Sequence, residues 1–410
     1  MLDGEHGPVL AEAIDYVIQF GEAFGADRLV DITYCHYPAE MAIYEGSVED
    51  VVAYAGRGGR VAVPTTTSTL CCDLERPAST GCPAVLSSLQ AQTETAHRRM
   101  GLMETYTCTP QSLGFIPPFG SYNLLVESSA IIYYNSVLGA RTNRGGLLTR
   151  YSAVCGKYPL MGYLLDRNRR GTLLFNCDIP AERLRTNDGW SALGFHIGAI
   201  AGSSVPVIDG VRTDRQDLLI SLGAALATSG SVSLFHLVGV TPEARTLDEA
   251  LGRQQPERVY EVTAADLDEV YRKMTTIAPG EPVDFVTVGC PHYNLEQLRV
   301  LAGRLAGKQI ATGVRCWVTT NRMTKKQAEY SGYVKTIEAS GALVVADCCP
   351  VESHLRASTC REHGLSVPNV KAMVTDSLKM ARYSGDLIGC QTALADLERC
   401  LAAAISGRWQ

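Results

Sequence analysis

The sequence predicts an α/β protein built from several layered units, the last of them a doubly wound domain with a parallel sheet. Three observations carry that expectation. From Val283 onward short apolar runs alternate with amphipathic stretches of helical length, the order in which helical crossovers bring strands into parallel register. The runs are apolar almost without interruption, as strands covered by helices on both faces are. The length, 410 residues, sets a prior of about two to three domains at roughly 150 residues each.

The elements follow in order. Leu10, Ile14, Val17 and Ile18 recur at helical spacing and predict a helix over 9–24, followed by a strand over 29–33 and a helix of mixed polarity over 87–100. The uncharged run 218–240 is long enough to raise a membrane span, but Thr228-Ser229-Gly230-Ser231 and His236 interrupt it, so it reads as helix, turn and strand. The final domain reads as strand 283–288, helix 294–305, strand 310–318, helix 325–339, strands 342–346 and 370–374, and a last helix over 392–404. The chain therefore divides into an N-terminal and middle α/β region, 1–280, whose internal split stays open, and a C-terminal doubly wound domain, 281–410. No repeat of solenoid or propeller length is present.

Composition narrows the function classes. A hydrophobic share of 46% with 20% charged residues is ordinary for a globular protein and excludes disorder, collagen and coiled coil. Thirty-seven basic against 43 acidic residues leave a net charge of −6, without a basic cluster dense enough to track phosphates, so nucleic acid is not an expected partner. Asp3, Glu5 and His6 stand where a secretory signal needs a basic and then an apolar run, and no membrane association is expected; a cytoplasmic protein is. Of the 14 cysteines, most read as small buried apolar residues, Cys35, Cys155, Cys177, Cys316 and Cys400 among them. No C-x-x-C pair occurs, so any metal site must be assembled by tertiary structure.

Open parallel sheets bind ligands beyond the carboxyl ends of their strands. Three predicted strands end in reactive side chains: Gly289-Cys290-Pro291-His292, Asp347-Cys348-Cys349-Pro350 and Thr375-Asp376-Ser377-Leu378-Lys379. If these strands share one sheet, their thiols meet at one edge; the plainer reading makes each a strand-terminal turn. A second stretch holds Glu127-Ser128-Ser129-Ala130 and then Asn135 through Arg141, Asn143, Arg144, Gly145 and Gly146. Hydroxyls, amides, guanidinium forks and glycines suit an anion pocket, and equally a capped helix with a glycine-rich exit.

Thr107-Cys108-Thr109-Pro110, Glu127-Ser128-Ser129-Ala130, Asn135 to Asn143, Gly289-Cys290-Pro291-His292, Asp347-Cys348-Cys349-Pro350 and Thr375-Asp376-Ser377-Leu378-Lys379 resemble, in order, the aconitase X family. The opening Leu2-Asp3-Gly4-Glu5-His6-Gly7 and the middle segments Gly156-Lys157-Tyr158-Pro159 and Arg167-Asn168-Arg169-Arg170 are similar to it as well. The resemblance implies an aconitase-like fold and a dehydratase that carries an iron–sulfur cluster, between [2Fe-2S] and [4Fe-4S], on Cys108, Cys290 and Cys349. Cys349 is preferred to Cys348 because the family cysteine directly precedes proline. It further implies a carboxylate clamp at Arg141 with Asn143, Ser128 and Ser129, and proton handling by Ser377, Lys379, His292 and Glu127. Each has a plain structural reading: Glu127 as a helix cap, His292 as a surface histidine, Lys379 as a solvated charge. Thiolates suit such a cluster because they are soft and anionic.

The family closes its site with a swivelling domain that has no counterpart among these segments, so a separate small subunit of roughly 100 to 150 residues is the expected partner. The expected substrate is a small hydroxy acid, cis-3-hydroxy-L-proline first, with 5-phosphomevalonate or another small hydroxy acid as alternatives. A catalytically silent scaffold subunit is the non-enzymatic alternative. The chain departs from the family at Gln111-Ser112-Leu113, across 120–126 and at Leu378, all beside the expected pocket.

Overall fold

The computed structural model describes residues 1–44 and 46–410. Three parallel sheets organise the chain, each flanked by helices. The first, of four strands, has the order Thr65–Thr67, Tyr34–Tyr37, Tyr122–Leu125, Arg141–Arg144. The second has the order Arg258–Thr263, Leu173–Asp178, Pro206–Asp209, His236–Leu237. The third, of five strands, has the order Leu343–Ala346, Arg315–Thr320, Phe285–Val288, Ala372–Thr375, Gln391–Leu394. A short antiparallel pair, Leu29–Asp31 with Lys157–Pro159, lies outside them. The expected mixed α/β architecture with a doubly wound last unit is what forms.

Burial follows from coverage on both faces. Every residue of Phe285–Val288 and of Ala372–Thr375 is buried, and apolar clusters lie on either side of this sheet, one around Val286, Leu298 and Leu401 and one around Phe285, Trp317 and Met373. The middle unit does not stand apart. Its core of Phe175, Trp190, Leu222 and Leu226 also takes in Ile131 and Tyr134 from the first unit and Leu378 and Leu394 from the last. The three units therefore share buried surface, and a site between them is held by their cores.

Three predicted elements are corrected. Residues 392–404 are not one helix: Gln391–Leu394 is the fifth strand, and the helix Leu397–Ser406 starts only after Asp396, whose side chain accepts from the Arg399 amide and caps it. The stretch 325–339 is two helices, Arg322–Tyr330 and Tyr333–Ala339, separated where Gly332 takes φ 77°. The strand expected over 310–318 runs Arg315–Thr320, because 310–314 forms the turn that brings the chain into register. The run 218–240 is the helix Gln216–Ser229 followed by the strand His236–Leu237. Among the described residues no helix is long and apolar enough to cross a membrane.

Candidate functional site

Strand order reverses in the third sheet between Phe285–Val288 and Ala372–Thr375, and in the first between Tyr34–Tyr37 and Tyr122–Leu125. At each reversal the chain leaves neighbouring strands in opposite directions and opens a crevice at their carboxyl ends. The two crevices face each other. Cys290 and Ser377 to Lys379 follow the two strands at one reversal, and Glu127 follows a strand at the other. The Lys379 Nζ lies 2.7 Å from the Glu127 Oε1 and so joins them.

Three separate loops deliver the thiols. Gly289 turns the chain out of its strand at φ 97°, and a Cβ there would stand 2.3 Å from the Thr319 carbonyl oxygen, so only glycine lets Cys290 take its place. The segment Thr105 to Thr107 is pinned to the strand Thr65–Thr67: the Thr107 amide donates to the Thr67 carbonyl at 3.0 Å, and the Thr67 hydroxyl accepts from the Thr105 and Tyr106 amides. That fixes Cys108. Leu70 receives the third loop, its amide donating to Asp347 O at 2.7 Å and its carbonyl accepting from the Cys349 amide at 3.3 Å. Cys108, Cys290, Cys349, Glu127, His292 and Lys379 line one cavity together, and the His292 amide donates to the Cys108 Sγ at 3.2 Å. Cys348 is buried beside them with its thiol donating to the Cys71 carbonyl at 3.5 Å.

The electrostatics are those of a dry, charged pocket. Burial pushes the Cys108 thiol up, with Glu127 and Cys290 adding to the effect and Lys379 opposing it. Burial likewise pushes up Cys290 and Cys349. Burial alone would raise Glu127 too, but Lys379 outweighs it and holds the carboxyl at about 2, while Lys379 is raised against its own burial, chiefly by Glu127. The two form an ion pair at neutral pH. Ser128 Oγ lies 3.2 Å from Glu127 and 3.3 Å from the Lys379 Nζ, and Ser129 Oγ donates to the Cys108 carbonyl at 3.0 Å. Glu127 occupies the cap position of the helix Ser128–Ser136 but spends its side chain on Lys379 instead of on the helix. Ser377 Oγ accepts from the Met380 amide at 3.2 Å, and Lys379 and Ser377 pull the Cys290 thiol down against its burial.

His292 is fully within the pocket, not on the surface: its Nε2 stands 3.2 Å from the Cys348 carbonyl and its Nδ1 has no partner. Burial lowers it to about 4 and keeps it neutral. A second buried histidine was not among the expected residues. His36, on the strand Tyr34–Tyr37, contacts Thr66 Oγ1 at 2.8 Å through Nδ1, leaves Nε2 without a partner, and is lowered to about 4 by burial against the opposing pull of Glu127. No motif marks it; only strand order brings it to the crevice.

Two expected residues are not brought there. Arg141 opens the strand Arg141–Arg144, in register with Tyr122, at the end of the sheet away from Glu127. Its guanidinium is bound to Asp166 and lies 3.9 Å from Glu243. Asn143 is consumed by Met161 O at 3.0 Å, Tyr158 OH at 3.3 Å and the Tyr163 amide at 2.8 Å. The expectation of a carboxylate clamp at these two positions is corrected on that ground: they fasten the loop 158–166 to the sheet. Among the residues that line the cavity, Lys379 is the one permanent cation.

The donor set fits a multi-iron group. Three soft sulfurs reach one water-poor cavity, where an undivided thiolate charge is costly and a metal in place of the proton offsets that cost. Among the described residues no three His, Cys, Asp or Glu side chains are spaced for a single metal ion, whereas a cluster spreads its ligands over several irons, one thiolate per iron in [4Fe-4S] and two in [2Fe-2S].

Facing crevices, three loop-borne thiols and a buried carboxylate–ammonium pair define a multidomain α/β protein whose candidate centre is assembled between units. Comparison with known proteins gives the family. Models of the aconitase X first, second and third domains match residues 1–167, 171–272 and 283–406. A cis-3-hydroxy-L-proline dehydratase of Pseudomonas aeruginosa is 34% identical over 100% of this chain and 69% of its own length. The fungal enzyme of the same name from Hypocrea jecorina is 32% identical over 99% and 67%. A phosphomevalonate dehydratase large subunit of Methanothermobacter thermautotrophicus is 34% identical over 97% and 94%. The holo-form crystal structure of Thermococcus kodakaraensis aconitase X superposes with a TM-score of 0.85 at 29% identity, covering 98% of this chain and 97% of that one. The chain belongs to the aconitase X family, and it is a hydro-lyase.

Proposed function

We propose that the chain is the cluster-bearing component of a dehydratase acting on a small hydroxy acid, cis-3-hydroxy-L-proline, in the cytoplasm. The observation that carries this reading is the convergence of Cys108, Cys290 and Cys349 on one cavity beside the Glu127–Lys379 pair. These three cysteines would hold an iron–sulfur cluster, which supplies a Lewis-acidic iron that makes the substrate hydroxyl a better leaving group. Lys379 binds the substrate carboxylate. In doing so it is drawn from Glu127, whose acidity depends on it, so the carboxylate regains basicity as substrate arrives and can take the proton from the carbon beside the substrate carboxylate. Ser128 and Ser129 orient that carboxylate, Ser377 stands on the Cys290 side of the cavity as the second proton-handling group, and neutral His292 donates or accepts a hydrogen bond without adding charge.

One lining cation suits a substrate with one carboxylate better than one that also carries a phosphate dianion, which favours the hydroxyproline. 5-Phosphomevalonate is the second reading, supported by the 34% identity to the Methanothermobacter large subunit over 97% of this chain. A small swivel-domain subunit is the expected partner, since phosphomevalonate dehydratase relatives are named large subunits. The test is anaerobic assay of the chain with such a subunit on both substrates. Turnover of cis-3-hydroxy-L-proline supports the reading, turnover of 5-phosphomevalonate alone transfers it to the second, and turnover of neither overturns both.

A further inference from the structure

Two of the three cysteine loops carry the same local signature. Tyr106, two residues before Cys108, has φ 38°, and Asp347, two residues before Cys349, has φ 62°. Neither is glycine, and both are buried. Such conformations persist only when the surroundings hold them, and one side chain touches both. The Arg322 guanidinium lies over the Tyr106 ring, 4.7 Å from its centroid. Its Nε donates to the Asp347 Oδ2 at 2.6 Å, and the Arg322 amide donates to the Oδ1 at 2.7 Å. Its Nη2 pairs with Glu94 Oε1 at 2.7 Å, on the helix Ala84–Met100 of the first unit. Behind the ring, Tyr106 OH contacts His97 Nδ1 at 3.3 Å, and His97 Nε2 contacts Glu40 at 2.8 Å.

We infer that Arg322 is a positioning residue that sets the separation of Cys108 and Cys349, and so decides whether a cluster is held between the first and third units. The inference rests on the proposed role of those cysteines. Planarity is what the position requires: a guanidinium stacks on a ring with its face while forking onto carboxylates with its edge. A lysine keeps the charge and can pair with Asp347 or Glu94, but it cannot hold ring and fork at once. The groups that support metal ligands commonly change affinity about 10- to 100-fold when altered.

The test reconstitutes the full chain with iron and sulfide anaerobically, then follows the loss of visible absorption to a chelator, with circular dichroism and thermal melting as folding controls. Arg322→Lys and Tyr106→Leu are expected to lose the chromophore about tenfold faster than wild type. Tyr106→Phe, which keeps the ring beneath the guanidinium, is expected to retain it. So is Arg76→Lys, which alters a pair between the same units, Arg76 with Glu338 at 2.8 Å, and a bond to the Val344 carbonyl at 2.6 Å, while leaving the contacts of Tyr106 and Asp347 in place. Folded Arg322→Lys that holds its cluster as wild type does overturns the inference, as does equal loss from Arg76→Lys. Should Arg322→Lys not fold, Tyr106→Leu against Tyr106→Phe reads the same contact, and equal retention by the two overturns it. Wild-type chain that takes up no iron overturns the cluster reading itself, a different result from iron held equally by all variants.

Discussion

At the scale of single residues, the Glu127–Lys379 pair concentrates the most risk. Both groups are largely buried, so removing one leaves the other charged and alone, a change that typically costs about 3–5 kcal/mol. Glu127→Gln and Lys379→Met should each lower stability by that order in urea denaturation, and the double variant by less than their sum. The pH dependence has a definite sign. Glu127 sits at about 2 against an ordinary 4.5, so its stabilisation is fully present above about 4.5 and is lost as pH falls toward 2; the Glu127→Gln variant should show a flatter acid limb. Arg141→Met should cost under about 1 kcal/mol, because its partner Asp166 is 86% exposed, and should leave KM unchanged, whereas a clamp would raise it. Cys290 and Cys349 were legible as strand-end thiols from apolar pattern alone. Cys108 was not, because it lies in a loop that runs into the short helix Pro110–Leu113 and is fastened sideways to Thr67 through Thr107; only the family resemblance singled it out. His36 carried no signal, since one histidine in a buried strand looks like any other until strand order is known.

At the scale of elements, the strand ends do the positioning, and Gly289 is the tightest of them. Gly289→Ala meets both a left-handed backbone, which costs a side chain about 1–2 kcal/mol, and the Thr319 carbonyl at 2.3 Å. It should destabilise the chain by about 2 kcal/mol or more and reduce bound iron in the folded fraction, read by melting and iron analysis together. Asp396→Ala should cost about 1 kcal/mol as a lost helix cap and leave iron content alone. The doubly wound unit was readable because its strands are continuous apolar runs between amphipathic helices. Its fifth strand was hidden because Thr392, Ala393 and Leu394 run into the alanine-rich helix after Asp396, and four residues are too few to show a period of two. The split at Gly332 was hidden because each half buries residues at helical spacing, Thr324, Lys325 and Ala328 in one and Val334 and Ile337 in the other.

At the scale of the whole molecule, two parallel sheets turn their strand-order reversals toward each other, and the reaction centre lies between them. That arrangement explains why residues so far apart in sequence meet, and why Arg141, although near Glu127 along the chain, does not: it sits at the entry end of a strand whose exit end faces the cavity, while the Asn143 side chain is taken up by Met161, Tyr158 and Tyr163. Sheet identity and strand direction, which periodicity does not report, decide the matter. Purified alone, the chain should bind iron but turn over slowly or not at all, and titration with the small subunit should raise activity to a plateau near one-to-one. The most direct measurement is iron and acid-labile sulfide per chain, with the visible spectrum, set against activity in the same anaerobic preparation. Bound iron and sulfide are expected to be lost, together with activity, in each of Cys108→Ser, Cys290→Ser and Cys349→Ser and kept in Cys35→Ser; a colourless, iron-free preparation with full activity would contradict a cluster held by these three thiols.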